Sequence, residues 1–131
     1  MKIAFVSRGN AVRSIFAEVI AKELIRQAGL RADIYSAGVS PDKEVHPYTI
    51  QVLTQRGFPA EGLKPKSIDG IPYEELDLLI TIGNEAKEKC AFVHSHKRRE
   101  VWLIDEPPEA LEAFRRVMDD VEQSVRSLLK L

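Results

Sequence analysis

Ser7-Arg8-Gly9-Asn10-Ala11-Val12-Arg13-Ser14 is the stretch on which the fold turns. Ahead of it, Lys2-Ile3-Ala4-Phe5-Val6 is a short apolar run that reads as a buried strand. Behind it, apolar residues from Ile15 to Ile25 recur at the spacing of a helix packed on one side. The junction holds Gly9 and Asn10, the residues that take positive φ most readily. A loop of that kind turns backbone N–H groups inward at a helix N-terminus, which makes an anion cradle. Arg13 stands where the helix begins, a place the macrodipole disfavours for a cation. A phosphate-like dianion that receives the guanidinium through two N–H groups accounts for it. Ser14 either caps the helix or turns its hydroxyl toward position 7.

Outward from this junction the chain alternates strand and helix. The first helix is expected from Arg13 to Ala28, stopped by Gly29, followed by a strand over Arg31–Ser36 that ends at Ala37-Gly38. Strand, helix and strand of these lengths form a right-handed parallel crossover. Pro41 to Pro47 reads as loop, and Tyr48 to Arg56 as a short helix closed by Gly57. Leu76–Ile82 is apolar almost throughout, as a buried strand should be, and Gly83-Asn84-Glu85 falls at its C-terminal end, the ligand edge of open α/β sheets. A short helix carries Cys90, Val101–Ile104 is the fourth strand, and Ala110–Leu131 the closing helix, with Leu111, Phe114, Val117, Met118 and Val121 on one face. The expectation is a three-layer α/β fold: a four-stranded parallel sheet with helices on both faces and the Ser7–Ser14 loop at its C-terminal edge.

Composition narrows the function. The 131 residues suit one domain spanning 1–131, with room for a real core. Nineteen basic against twenty acidic residues give no bulk pull toward nucleic acid or an anionic membrane. No apolar run approaches the roughly 20 residues of a membrane span, and the N-terminus lacks a signal peptide's apolar core. A single cysteine excludes an intrachain disulfide and suits a reducing cytosol, so a cytoplasmic protein is expected. Several features read most simply as structure. Cys90 is a small buried hydrophobe, and Lys64-Pro65-Lys66-Ser67 a connector bearing surface charge. His46 is a partly exposed loop histidine beside Pro47, with contact to the phosphate loop as the alternative. The basic run His94–Arg99 has neither interleaved aromatics nor a carboxylate partner, so it reads as a solvated loop, not a nucleic-acid or metal site. Asp105-Glu106-Pro107-Pro108 alone is a helix start, acid as cap and proline in the first turn; beside a phosphate loop it becomes a candidate proton donor.

The run Val6–Ser14 resembles the signature of low-molecular-weight protein tyrosine phosphatases and their arsenate reductase relatives: a cysteine, five residues, then Arg-Ser, usually with Gly-Asn at the third and fourth positions. The resemblance extends along most of the chain and implies a flavodoxin-like fold of the phosphotyrosine protein phosphatase I type. It also implies a two-step phosphomonoester hydrolysis through a cysteinyl-phosphate, without metal or cofactor. The loop residues Ser7, Arg8, Gly9, Asn10, Ala11, Val12, Arg13 and Ser14 would bind the phosphoryl group, or inorganic phosphate or sulfate. The general acid would be Asp105, favoured by residue type, or Glu106, favoured by counting from Trp102. The departure is Ser7, standing where the family has its nucleophile. A cysteine at a helix N-terminus has a pKa of roughly 3.5–7.5, whereas an alcohol stays protonated, so binding should survive and turnover nearly vanish. Ser7 is thus either an engineered inactivating change or the mark of a natural phosphate- or phosphoprotein-binding pseudophosphatase. Thioredoxin-coupled arsenate reductases carry two cysteines where this chain has Gly83 and Cys90, and Val12 replaces a further loop cysteine of many phosphatases. A disulfide relay needs at least two thiols, which argues against arsenate reduction. Phosphotyrosine on a protein, or a small aryl phosphate, is the expected substrate. Phosphoarginine is less favoured, because that branch has Thr where Ala11 stands and Arg8 should repel a guanidinium.

Overall fold

Four strands pair in parallel into one sheet in the order β2-β1-β3-β4. In this computed structural model, which describes residues 1–92 and 98–131, they are β1 (Lys2–Ser7), β2 (Asp33–Gly38), β3 (Leu78–Ile82) and β4 (Arg98–Trp102). β1 and β3 occupy the middle and are buried nearly throughout, as their unbroken apolar sequences require. The helices are α1 (Arg13–Ala28), α2 (Pro47–Gln55), α3 (Asn84–Lys89) and α4 (Leu111–Leu129). No described helix is long and apolar enough to cross a membrane.

Strand alternation sorts the core into two layers. Ile3 and Phe5 of β1 with Leu78, Ile80 and Ile82 of β3 face α1, α2 and α4, where Ile15, Phe16 and Met118 are fully enclosed. Ala4, Val6 and Leu79 face the other way, toward Ala86 of α3 and Cys90. The sheet therefore carries helices on both faces, and Cys90 is a buried part of the thinner layer with its thiol pKa raised by that burial.

Element ends differ from the sequence reading where pattern and packing part company. α1 runs to Ala28 and stops at Gly29 with φ 67°, as expected. The fourth strand is Arg98–Trp102, not Val101–Ile104. It is an edge strand whose first residues, Arg98, Arg99 and Glu100, align with Leu78, Leu79 and Ile80, and a half-wet edge does not need an apolar sequence. Beyond Trp102 the chain leaves the sheet and Leu103 is 76% exposed. Of the basic run, Arg98 and Arg99 open β4, and residues 94–97 lie outside the described residues. α4 begins at Leu111 after an extended Ala110 with no side-chain cap, so Asp105 and Glu106 do not cap it, and both prolines stay in the approach.

The order 2-1-3-4 places the reversal of strand order between β1 and β3. The C-terminal ends of those strands, Ser7 and Ile82-Gly83, flank the crevice where open α/β sheets bind ligands.

Candidate active site

The loop from Ser7 to Val12 is shaped from outside by the segment that follows β2. Val39 N–H donates to the Ser7 carbonyl (3.1 Å), Ser40 to Arg8 (2.8 Å), Asp42 to Gly9 (2.9 Å) and His46 to Ala11 (3.1 Å). Thr49 Oγ1 adds a second bond to the Ala11 carbonyl at 2.9 Å. In a trans peptide the next N–H points opposite to its carbonyl. With four carbonyls turned outward, the amides of Arg8, Gly9, Asn10 and Val12 face the hollow. Asn10 bends the loop with φ 52°. α1 then starts behind Val12 with no side-chain cap, so its first-turn donors also belong to the hollow. Ser14 is accordingly not the cap. It takes the other course read from the sequence, its Oγ 2.6 Å from Ser7 Oγ.

Glycines permit the close approaches. A Cβ on Gly38 would stand 2.8 Å from the Gly9 carbonyl carbon and 2.9 Å from Asn10 N. A side chain on Gly83, which has φ 90°, would run into the guanidinium of Arg13. Arg13 is only 6% exposed, and its Nη1 donates to the Ile104 carbonyl at 2.8 Å. Burial lowers its pKa and the neighbouring Arg8 pulls the same way, against Glu106, Glu85 and Asp105. A desolvated, incompletely neutralised guanidinium beside inward amides is a strong anion receptor.

Behind the loop lies a buried polar network that composition did not reveal. Asn10 Nδ2 donates to Ser14 Oγ (2.7 Å) and Ser36 Oγ (3.0 Å), and Ser36 donates to Glu18 Oε1 (2.6 Å). Lys66 closes it from the other side: its N–H donates to Asn10 Oδ1 at 2.8 Å and its ammonium reaches Glu18 at 3.3 Å. The connector 64–67 is thus a brace and not just charged surface; Gly38 N–H also donates to the Lys66 carbonyl. Burial works to raise the Glu18 carboxyl, but hydrogen bonds from Lys22 and Ser36 and the charge of Lys66 hold it below its ordinary value. One signal was legible: Ser14, Glu18 and Lys22 fall four residues apart, on one face of α1.

In front of the loop an open cleft of about 960 Å³ runs between residues 42–47 and 106–109. Two side-chain contacts border it. Arg8 binds Glu106 through Nε (3.1 Å) and Nη2 (2.7 Å), and His46 Nε2 meets Glu109. Arg8 holds Glu106 ionised below the usual carboxylate range. Glu106 lines the cleft and Asp105 is not among its lining residues. His46 is a partly exposed residue just ahead of α2, and its backbone N–H makes the contact with the phosphate loop, at the Ala11 carbonyl. Its Nδ1 caps α2 by accepting from Tyr48 N–H, and its ring packs 4.5 Å from Phe114 in the cleft wall. The sequence signal for it was its place just before Pro47, at a helix start.

Comparison with known proteins agrees with this geometry. Arsenate reductase 2 of Staphylococcus saprophyticus is 27% identical over 125 residues, covering 95% of this chain and 92% of its own. Among solved structures, a YwlE arginine phosphatase with a cysteine-to-serine change and a phosphorylated active-site serine superposes with TM-score 0.87 at 23% identity, covering 99% and 94% of the two chains. An arsenate reductase in its phosphate-binding state does so with TM-score 0.79 at 26% identity, covering 98% and 96%. The family model for low molecular weight phosphotyrosine protein phosphatase matches residues 2–131, and the chain belongs to that family.

Proposed function

We propose that this chain is a phosphatase-type domain that binds a phosphomonoester dianion in the Ser7–Ser14 loop and, because position 7 is serine, holds its ligand with little or no turnover. The observation that carries this is the outward capture of the Ser7, Arg8, Gly9 and Ala11 carbonyls, which leaves the loop amides and Arg13 to receive the anion. The reaction this site is shaped for needs a nucleophile at position 7 in line with phosphorus. The phosphoryl oxygens would be held by the amides and Arg13, and a carboxyl group would protonate the leaving oxygen. Glu106 is the better placed donor, since it lines the cleft in front of the loop and Asp105 does not. In the free site it is ionised against Arg8. A dianion that draws Arg8 toward itself would release Glu106 to carry a proton.

The preferred ligand is an aryl phosphate such as phosphotyrosine on a protein. Arsenate reduction is disfavoured, since a cysteine at position 83 would displace Arg13 and only Cys90, which is buried, is present. Phosphoarginine gains ground over the sequence reading, because the charge of Arg8 is compensated by Glu106 and by nearby Asp42. The phosphoserine in the YwlE mutant suggests that a serine in this loop can itself hold a phosphoryl group. Calorimetry with inorganic phosphate tests the core of the reading. Arg13→Ala should weaken binding by about 1.5–3 kcal/mol, the worth of charge-assisted hydrogen bonds, and equal affinities would mean that Arg13 does not face the ligand.

A further inference from the structure

The cleft is much larger than an oxyanion needs. Phosphate or arsenate fills the loop alone and leaves about 960 Å³ in front of it without a purpose. The apolar part of that space comes from Val45, Pro47, Pro107, Pro108 and Phe114, flat and proline-rich surfaces of the kind against which an aromatic ring packs. Charge is layered across the same opening. The inner hollow is positive, through Arg13 and the amides. The rim is negative, with Asp42, Glu44, Glu106 and Glu109 against Arg8 and Lys43. In the free site Arg8 and Glu106 meet through a two-pronged contact, so their charges offset each other at the rim. The acidic groups are also held in place. The Asp42 carboxylate lies over Gly9 while its N–H binds the Gly9 carbonyl, and Glu109 is tied to His46.

We propose that the cleft selects phosphotyrosyl segments carrying a basic residue beside the phosphorylated one, with Asp42, Glu44 and Glu109 reading the added positive charge. This rests on the phosphate-binding reading of the loop and names the substrate class of that same site. A ligand complementary to both layers is zwitterionic: dianion inside, cation at the rim. A segment flanked by acids meets the rim's repulsion, and a free oxyanion gains nothing from the cleft.

The test uses the chain as it stands, with serine at position 7. Fluorescent phosphotyrosyl peptides flanked by lysines or by glutamates are titrated by anisotropy at low and at physiological salt, beside the unphosphorylated lysine-flanked peptide and calorimetry with inorganic phosphate. The lysine-flanked phosphopeptide should bind about tenfold more tightly than the glutamate-flanked one, the sum of two or three screened pairs. The gap should narrow as salt rises. The double variant Glu44→Lys with Glu109→Lys should close or invert it, while inorganic phosphate still binds. Equal binding of the two phosphopeptides, or tighter binding of the acidic one, with phosphate still bound would overturn this inference and spare the phosphate site. Equal binding of the unphosphorylated peptide would overturn it too. Failure of phosphate itself to bind would overturn both.

Discussion

At the scale of single residues, the site is a set of groups each constrained by the next. Ser7 is 2% exposed and bonded to Ser14, Ser14 to Asn10, Asn10 to Ser36, and Ser36 to Glu18, so a carboxylate in the second turn of α1 fixes the side-chain amide of the residue that bends the loop. Glu18→Gln should remove the charge that anchors the network and leave a single amide oxygen to serve Ser36, Lys22 and Lys66. We expect a loss of about 1–3 kcal/mol in urea unfolding at neutral pH, the cost of a broken buried hydrogen-bond network. The sign with pH follows from the lowered carboxyl. The unfolded chain takes up its proton first as pH falls, so the contribution is full above the ordinary carboxylate pKa of about 4.3 and is lost as pH drops through the lower folded value. The difference between the two proteins should shrink in that acid range, and a constant difference would mean that the charge of Glu18 is not what holds the network. The general acid is also a question at this scale. In a Ser7→Cys background, Glu106→Gln should lower turnover by ~10²–10⁴-fold, and Asp105→Asn should do less. The reverse order would restore the assignment that residue type suggested.

At the scale of elements, the loop depends on a segment that carries none of its chemistry. Residues 39–46 orient the peptides of the cradle, and Gly38 lets them approach. Gly38→Ala puts a methyl group against Gly9 and Asn10, where backbone must move. It should cost about 1–3 kcal/mol of stability and abolish measurable phosphate binding, read by thermal melting with and without phosphate. Normal binding would show that the loop is not held by this contact. The loop's shape was legible because its own residues carry part of the signal: Asn10 takes the positive φ of the bend and the apolar run forms the strand beneath, whereas Gly9, expected to share the bend, has no positive φ and instead leaves room for the Asp42 carboxylate. What stayed hidden is made by pairing across the chain. Lys66 looked like surface because nothing beside it shows that its backbone meets Asn10, 56 residues away. β4 was misplaced because an edge strand may be Arg98-Arg99-Glu100, polar and partly wet, without any periodic mark. His46 looked bland because Glu109 and Phe114 come from the far end of the chain.

At the scale of the molecule, strand order gathers these parts. β1 ends in the loop, β3 ends at Ile82 with Gly83 next to it against Arg13, and β4 is followed by the carboxyl pair, all at one edge of one sheet. The alternation of strands and helices was readable from periodicity, and the parallel sheet with helices on both faces follows from it. Ser7 stands at the position proposed for the nucleophile, and placing a thiol there tests the account most directly. Ser7→Cys should convert a protein with negligible turnover into a metal-independent hydrolase of phosphotyrosine and small aryl phosphates, measured as phosphate release over a range of pH. A variant that binds phosphate through Arg13 yet hydrolyses none of these, nor phosphoarginine, would contradict it.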